Sequence, residues 1–141
     1  MEAYNQYLDY FIFSVLGMMS IVVLGVVLER MSFYKKTSIE NYKNKKELEL
    51  ELGNNLGIIS TIASNAPYVG LLGTVFGIII TFYTIGSDGM ADSNKIMIGL
   101  ALALKATAFG LLVAIPSLVF FNYLVRKMEV LITKWEINYE D

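Results

Sequence analysis

Lys105 sits in the stretch ALALKATAFGLLVAIP, Ala101 to Pro116, which holds no acid to pair with it. An ammonium set in an apolar helix has three outcomes. It reaches for a distant polar layer, loses its proton through desolvation, or meets water or a carboxylate supplied from elsewhere. Two residues further on stands Thr107, and an earlier run carries Thr74, Thr81 and Thr84. Hydroxyls do not titrate near neutrality, but each offers one donor and two acceptor lone pairs to a chain of water. The sequence has no histidine and no cysteine. The commonest general base, thiolate nucleophiles and thiolate metal sites are therefore excluded, as are disulfides. With every carboxylate outside the long apolar runs, no enzyme, metal centre or cofactor is expected. The chemistry on offer is that of polar groups held inside a membrane.

The elements that would hold them follow from composition. Of 141 residues, 55% are hydrophobic and only 17% charged, too apolar for an ordinary soluble domain. The net charge of −2 and the lack of a basic stripe with aromatics argue against nucleic acid as a partner. Tyr10 to Leu28 carries no charge, nor does Gly53 to Ser87, and Ile96 to Tyr123 carries only Lys105. A bilayer-spanning helix needs about 20 mainly apolar residues. The expected fold is an all-α integral membrane domain with three transmembrane helices, the second and third long and extending into the cytoplasm. Span one covers about 10–28, a cytoplasmic segment 29–57, span two about 58–86, a periplasmic loop 87–95, span three about 96–123 and a cytoplasmic tail 124–141.

Lysine and arginine set the orientation. The first ten residues have none, whereas Arg30, Lys35, Lys36, Lys43, Lys45 and Lys46 follow span one, and Arg126, Lys127 and Lys134 follow span three. The positive-inside rule puts the N-terminus in the periplasm and the C-terminus in the cytoplasm. Lys43–Glu47 and Lys45–Glu49 stand four apart in a run rich in helix formers, so a cytoplasmic helix is expected there, broken near Gly53-Asn54-Asn55. Its charges read as a solvated face. Asp88 and Asp92 lie among Gly, Ser and Asn, the residues of tight turns, rather than in a metal site.

Gly70, Thr74, Gly77, Thr81 and Thr84 fall on one helical face of span two, and Gly73 with Gly77 forms a small-xxx-small pair. In span three Ala103, Thr107, Gly110, Ala114 and Ser117 repeat the pattern. Such stripes let helices approach closely in lipid; a weakly polar wall lining a pore is the functional alternative. Pro67, near the start of span two, and Pro116, within span three, each free the carbonyl four residues earlier, Ala63 and Leu112. Both are expected kinks, and Pro67 could equally mark a helix entry. Counted from Ile96, Lys105 lies about 13 Å into the helix, near mid-membrane. It is about 200° around from Thr107, so the two do not share a face. An acid from another chain, met at a seam between subunits, is the favoured partner for it.

NAPYVGLLGTVFGIIITF (Asn65–Phe82) and ALKATAFGLLVAIPSLVFFN (Ala103–Asn122) closely resemble the two signature helices of the MotA/TolQ/ExbB proton-channel family, in the same order and most closely those of its ExbB branch. The resemblance implies a stator of an ion-driven motor in the bacterial inner membrane. It implies a homopentamer whose second and third spans surround the helices of an ExbD-like single-span protein with a membrane aspartate. It implies that the work reaches a TonB-like protein, which energises outer-membrane uptake of iron-siderophores and similar cargo. Its pore-lining threonines fall on Thr74 and Thr107, with Thr81 on the same face. A TolQ-like role in envelope integrity and a non-conducting scaffold are the alternatives. One departure stands out: many relatives carry a glutamate five residues before the span-three threonine, where this chain has Leu102.

Overall fold

A computed structural model describes residues 2–88 and 93–140. The described residues form helices: α1 (Glu2–Lys36), a short 3-10 turn (Ile39–Asn41), α2 (Lys45–Leu52), α3 (Leu56–Asp88) and α4 (Ser93–Glu140). Three of them are long and apolar enough to cross a membrane, over Gln6–Lys36, Leu56–Ser87 and Ser93–Tyr139. α4 has 48 residues. At 1.5 Å per residue it is about 72 Å long, more than twice the hydrocarbon thickness of about 30 Å, so much of it lies outside the apolar layer. The expected loop 87–95 is shorter in the structure, because Ser87 and Asp88 still belong to α3 and α4 begins at Ser93. The remainder of that loop, Asp92 included, lies outside the described residues.

The segment between α1 and α3 shows how local sequence sets breaks. Thr37 ends α1 by returning both its amide and its hydroxyl to the Phe33 carbonyl, at 2.9 and 2.6 Å. Asn44 caps α2, its side-chain oxygen accepting from the Lys46 amide at 2.9 Å. α2 then ends at Gly53, and Asn55 takes φ 68°, a left-handed conformation asparagine tolerates. This is the Gly53-Asn54-Asn55 break. The helix before it is not purely solvated: Leu48 and Leu52 are fully buried.

α3 and α4 pack antiparallel along their length, and α1 lies against both. Two cores result. Toward the basic end, Val23, Val27, Tyr34, Leu48, Leu52, Ile59, Leu124 and Trp135 form a cluster of large side chains. Toward the other end the cluster is small: Ile12, Leu16, Ala66, Ala106 and Ala114. The outward faces stay apolar, with Ile21 72%, Leu28 67% and Leu112 64% exposed. Such a surface suits lipid or other protein chains rather than water.

Pro67 does not mark a helix entry. It sits about three turns inside α3, and Pro116 likewise lies inside α4. Both helices run on through them, as membrane helices do where neighbours or local adjustment satisfy the freed carbonyl.

Candidate functional site

The seam between α3 and α4 is as close as two helices come. A Cβ added to Gly70 would lie 2.6 Å from the Ala106 carbonyl oxygen and 3.1 Å from the Gly110 Cα. One added to Gly110 would meet the Ala66 carbonyl at 2.7 Å. Gly73 faces the Ala106 methyl group, and Gly77 faces Ala103, with corresponding distances of 2.8 and 2.9 Å. No residue larger than glycine fits these positions without moving a backbone. The two small-residue stripes thus face each other.

That closeness brings two threonines together from 33 positions apart. Thr74 Oγ1 and Thr107 Oγ1 are hydrogen-bonded across the seam. Thr74 is buried and its hydroxyl donates to the Ala103 carbonyl at 2.8 Å. A hydroxyl has one proton, so in the shared bond Thr107 donates and Thr74 accepts. The half-buried Thr107 oxygen therefore keeps lone pairs for an incoming donor: a water, or the O–H of a protonated carboxyl group. Neither threonine titrates; the pair can hand on protons only by orienting such donors.

Two turns further along α3, Thr81 is also buried and donates to the Gly77 carbonyl at 2.8 Å. Its side chain presses on Gly99, where an added Cβ would come within 2.5 Å of it. Thr81, Gly77, Gly99, Leu102, Ala103 and Asp9 line a cavity of about 50 Å³. That is room for a few waters at most. Asp9 is a residue that the sequence reading passed over, because it stands one position before the uncharged run of span one. The packing of α1 nonetheless brings this carboxylate beside Leu102, a residue of span three. Thr84, last in the stripe, has its hydroxyl buried without a hydrogen-bond partner among the described residues. In α4, Ser117 is buried and donates to the Val113 carbonyl at 2.7 Å.

Lys105 lies on the other side of α4. It is exposed and lines an open groove of about 500 Å³ with Phe13, Leu16, Gly17 and Ser20 of α1 and with Phe109 and Val113. Phe13 and Phe109 meet edge to face in this groove, 4.9 Å apart. Lys105 forms no ion pair among the described residues. Because Phe109, one turn beyond Lys105 on α4, meets Phe13 near the start of α1, Lys105 lies toward the end of the bundle where α1 begins.

Arg30 is a second residue whose role the sequence did not disclose. It is 3% exposed, pairs with Glu29 at 2.5 Å, and donates to the Glu51 and Leu52 carbonyls at 2.7 and 3.4 Å. Tyr34, one turn on, donates to the same Leu52 carbonyl at 2.5 Å. Together they cap the C-terminus of α2, whose carbonyls would otherwise be orphaned. No spacing rule links residues 21 apart on two different helices.

A family described as the MotA/TolQ/ExbB proton channel family matches residues 14–137, a stretch that contains Thr74, Thr81, Lys105 and Thr107. The chain belongs to the MotA/TolQ/ExbB proton channel family. The biopolymer transport protein ExbB of Aquifex aeolicus is 54% identical over 136 residues, 96% of this chain and 92% of that protein. ExbB of Helicobacter pylori strain J99 is 50% identical over 137 residues, 97% of this chain and 94% of that one. The Tol-Pal system protein TolQ of Pseudomonas aeruginosa is 38% identical over 87 residues, 62% of this chain and 38% of its own length. The likeness to these two ExbB proteins thus covers nearly the whole of each chain, while the likeness to TolQ covers part of each, as does that to ExbB of Pseudomonas putida, 40% identical over 77 residues.

Proposed function

We propose that this chain is the channel-forming stator subunit of an inner-membrane motor of the ExbB–ExbD–TonB kind. Five copies surround the membrane helices of a smaller, single-span partner carrying a membrane aspartate. The N-terminus lies in the periplasm and the basic end in the cytoplasm. Protons move through the partner's carboxylate past the α3–α4 seam, and the motion passes to a TonB-like protein that energises outer-membrane uptake of iron-siderophores. The observation that carries this reading is the match over nearly the whole chain to two ExbB proteins at 50–54% identity. The chemistry agrees with it. The free lone pairs of Thr107 are what a protonated aspartate or a water would bind, and the apolar runs of α3 and α4 that form the seam carry no acid. Lys105, on the opposite face, pairs with an acid of a neighbouring chain.

The first measurement is the intact mass and composition of the complex drawn gently from native membranes. Five copies with a single-span protein bearing a membrane aspartate are expected, and a TonB-like third protein marks the output. A TolA-like third protein would reassign the output to envelope integrity. The chain extracted alone would favour a scaffold. Proton flux in proteoliposomes separates that scaffold independently: Thr107→Val is expected to lower flux at least tenfold, and unchanged flux would remove the threonine path. For Lys105, loss of activity in Lys105→Glu, regained by an acid-to-base change in the partner or neighbouring chain, supports the pairing. Full activity of Lys105→Met would end it.

A further inference from the structure

At the end of the molecule where α1 stops, α1 and α4 enclose a groove of about 380 Å³, lined by Tyr34, Lys35, Tyr123, Arg126, Lys127, Val130, Leu131 and Lys134. Four of these side chains are cationic and none is acidic. Glu129 is the nearest carboxylate on α4, and it takes up only Arg126, at 3.9 Å. Lys35, Lys127 and Lys134 form no ion pair among the described residues. Lys127 instead lies over the face of Tyr123, 5.2 Å from the ring centre. Two other basic residues of this end are engaged elsewhere, Arg30 with Glu29 and the carbonyls of α2 and Lys45 with Glu49 and Glu136, while Lys36, next to Lys35, is exposed.

The groove also sits at a defined depth. The uncharged run of α1 ends at Leu28, and that of α4 ends at Val125. Lys35 is about 10 Å beyond Leu28, and Arg126 and Lys127 begin where the apolar surface of α4 stops. The polar layer of a bilayer adds about 5–7 Å on each side of the hydrocarbon, a gap a lysine side chain bridges. One turn toward the membrane from Tyr123, Val119 is 61% exposed, with Leu118 and Ile115 beside it at 51% and 60%. A basic cradle with aromatic walls, continuous with an outward apolar strip, matches a molecule with an anionic head and an alkyl tail. Basic pockets between membrane helices hold lipid phosphates on these grounds.

We propose that this groove binds an anionic phospholipid, its phosphate held by Lys35, Arg126 and Lys127 and its acyl chains laid along Val119 and Ile115. The inference needs only that the chain spans a membrane, so it survives or fails independently of proton conduction.

The test uses the full purified chain in mild detergent, titrated with phosphatidylglycerol, with phosphatidylcholine and with inorganic phosphate. Bound lipid is counted by native mass spectrometry. The expected result is clear preference for phosphatidylglycerol, reduced about 30-fold in the Lys35→Gln/Lys127→Gln double variant, since each basic residue contributes roughly a fivefold factor. A charge-matched control, Lys43→Gln/Lys95→Gln, is expected to stay within about twofold of the unmodified chain. The proposal is overturned by equal affinity for the two lipids, by an unaltered double variant, or by a control that falls as far. Inorganic phosphate that displaces the lipid and binds as tightly would assign the site to a soluble anion instead. Should the glutamine variant fold poorly, Lys35→Arg/Lys127→Arg must keep the preference, and the comparison of the two lipids on the unmodified chain decides alone.

Discussion

The two ends of the bundle are held by different physics. At the threonine end, helices touch backbone to backbone over glycine and alanine, and few side chains cross between them. At the basic end, the core is built from leucine, isoleucine and tryptophan, and polar side chains stitch one element to the next. Arg30 and Tyr34 cap α2. Trp135 donates to the Tyr42 carbonyl at 2.8 Å, and Tyr139 donates to the same carbonyl at 2.9 Å. Tyr42 hydrogen-bonds to Glu51, and Lys45 to Glu136. Backbone-close packing with one threonine cluster joins the helices at one end; many directional ties join the elements at the other.

The largest effect should come from breaking the close seam. Gly70→Val places atoms where the Ala106 carbonyl and the Gly110 Cα already are. A loss of about 3 kcal/mol or more is expected, read as folded yield and melting temperature in detergent. Gly17→Ala and Gly25→Ala, with nothing within 4 Å of the new methyl group, should be neutral or gain up to about 1 kcal/mol of helix propensity. Equal damage at all three glycines would end the distinction between seam and outer face.

Next comes the fixed end. Arg30→Met removes the 2.7 Å donor to the Glu51 carbonyl and leaves the Leu52 carbonyl to Tyr34 alone, at a cost of about 1–3 kcal/mol. Limited proteolysis within 37–55 should accelerate while α3 and α4 stay protected. Melting of the whole bundle instead would mean that the two ends are not independent.

These two predictions differ in how far the sequence foretold them. The glycine and threonine stripes are local patterns on single helices, so spacing alone put Gly70, Thr74, Gly110 and Thr107 on packing faces. The three long helices followed from uncharged runs for the same reason. Which faces meet is tertiary, and the Thr74–Thr107 bond needed two stripes in antiparallel register. Arg30 read as an orientation charge because the carbonyls it binds lie on another helix. Pro67 read as a possible helix start because proline favours one, yet packing carries the helix through it. Lys105 was placed by counting along α4 alone, and the register of α4 against α1 came only with the packing of Phe109 on Phe13. Asp9 escaped because it lies one residue outside that run.

A smaller effect sharpens the picture of the fixed end. Hydrogen bonding to the Glu51 carboxylate pushes the Tyr42 hydroxyl up to about 12, from an ordinary value near 10. The native state thus favours the protonated phenol. Its contribution is fully present below about pH 10 and is lost as the pH rises through about 12. Fluorescence of the sole tryptophan, Trp135, whose ring nitrogen binds the Tyr42 carbonyl, should change between those values and reverse on return. Tyr42→Phe should abolish that transition. Smallest is Lys45→Gln. Its amine is held above the usual lysine range by Glu136, but the pair is solvent-exposed, so thermal melts should shift only slightly, and the shift should fade with salt.

α4 carries one more consequence. It is continuous from Ser93 to Glu140, so Thr107 and the Trp135 clamp ride on the same rod. About 50 Å separates the threonine level from the far tip. A pivot of roughly 5° at the threonine level would sweep that tip by about 4 Å, most of one helical turn. The helix is, in effect, a lever: a small change of angle beside the threonine pair becomes a displacement the size of a side chain at the far tip.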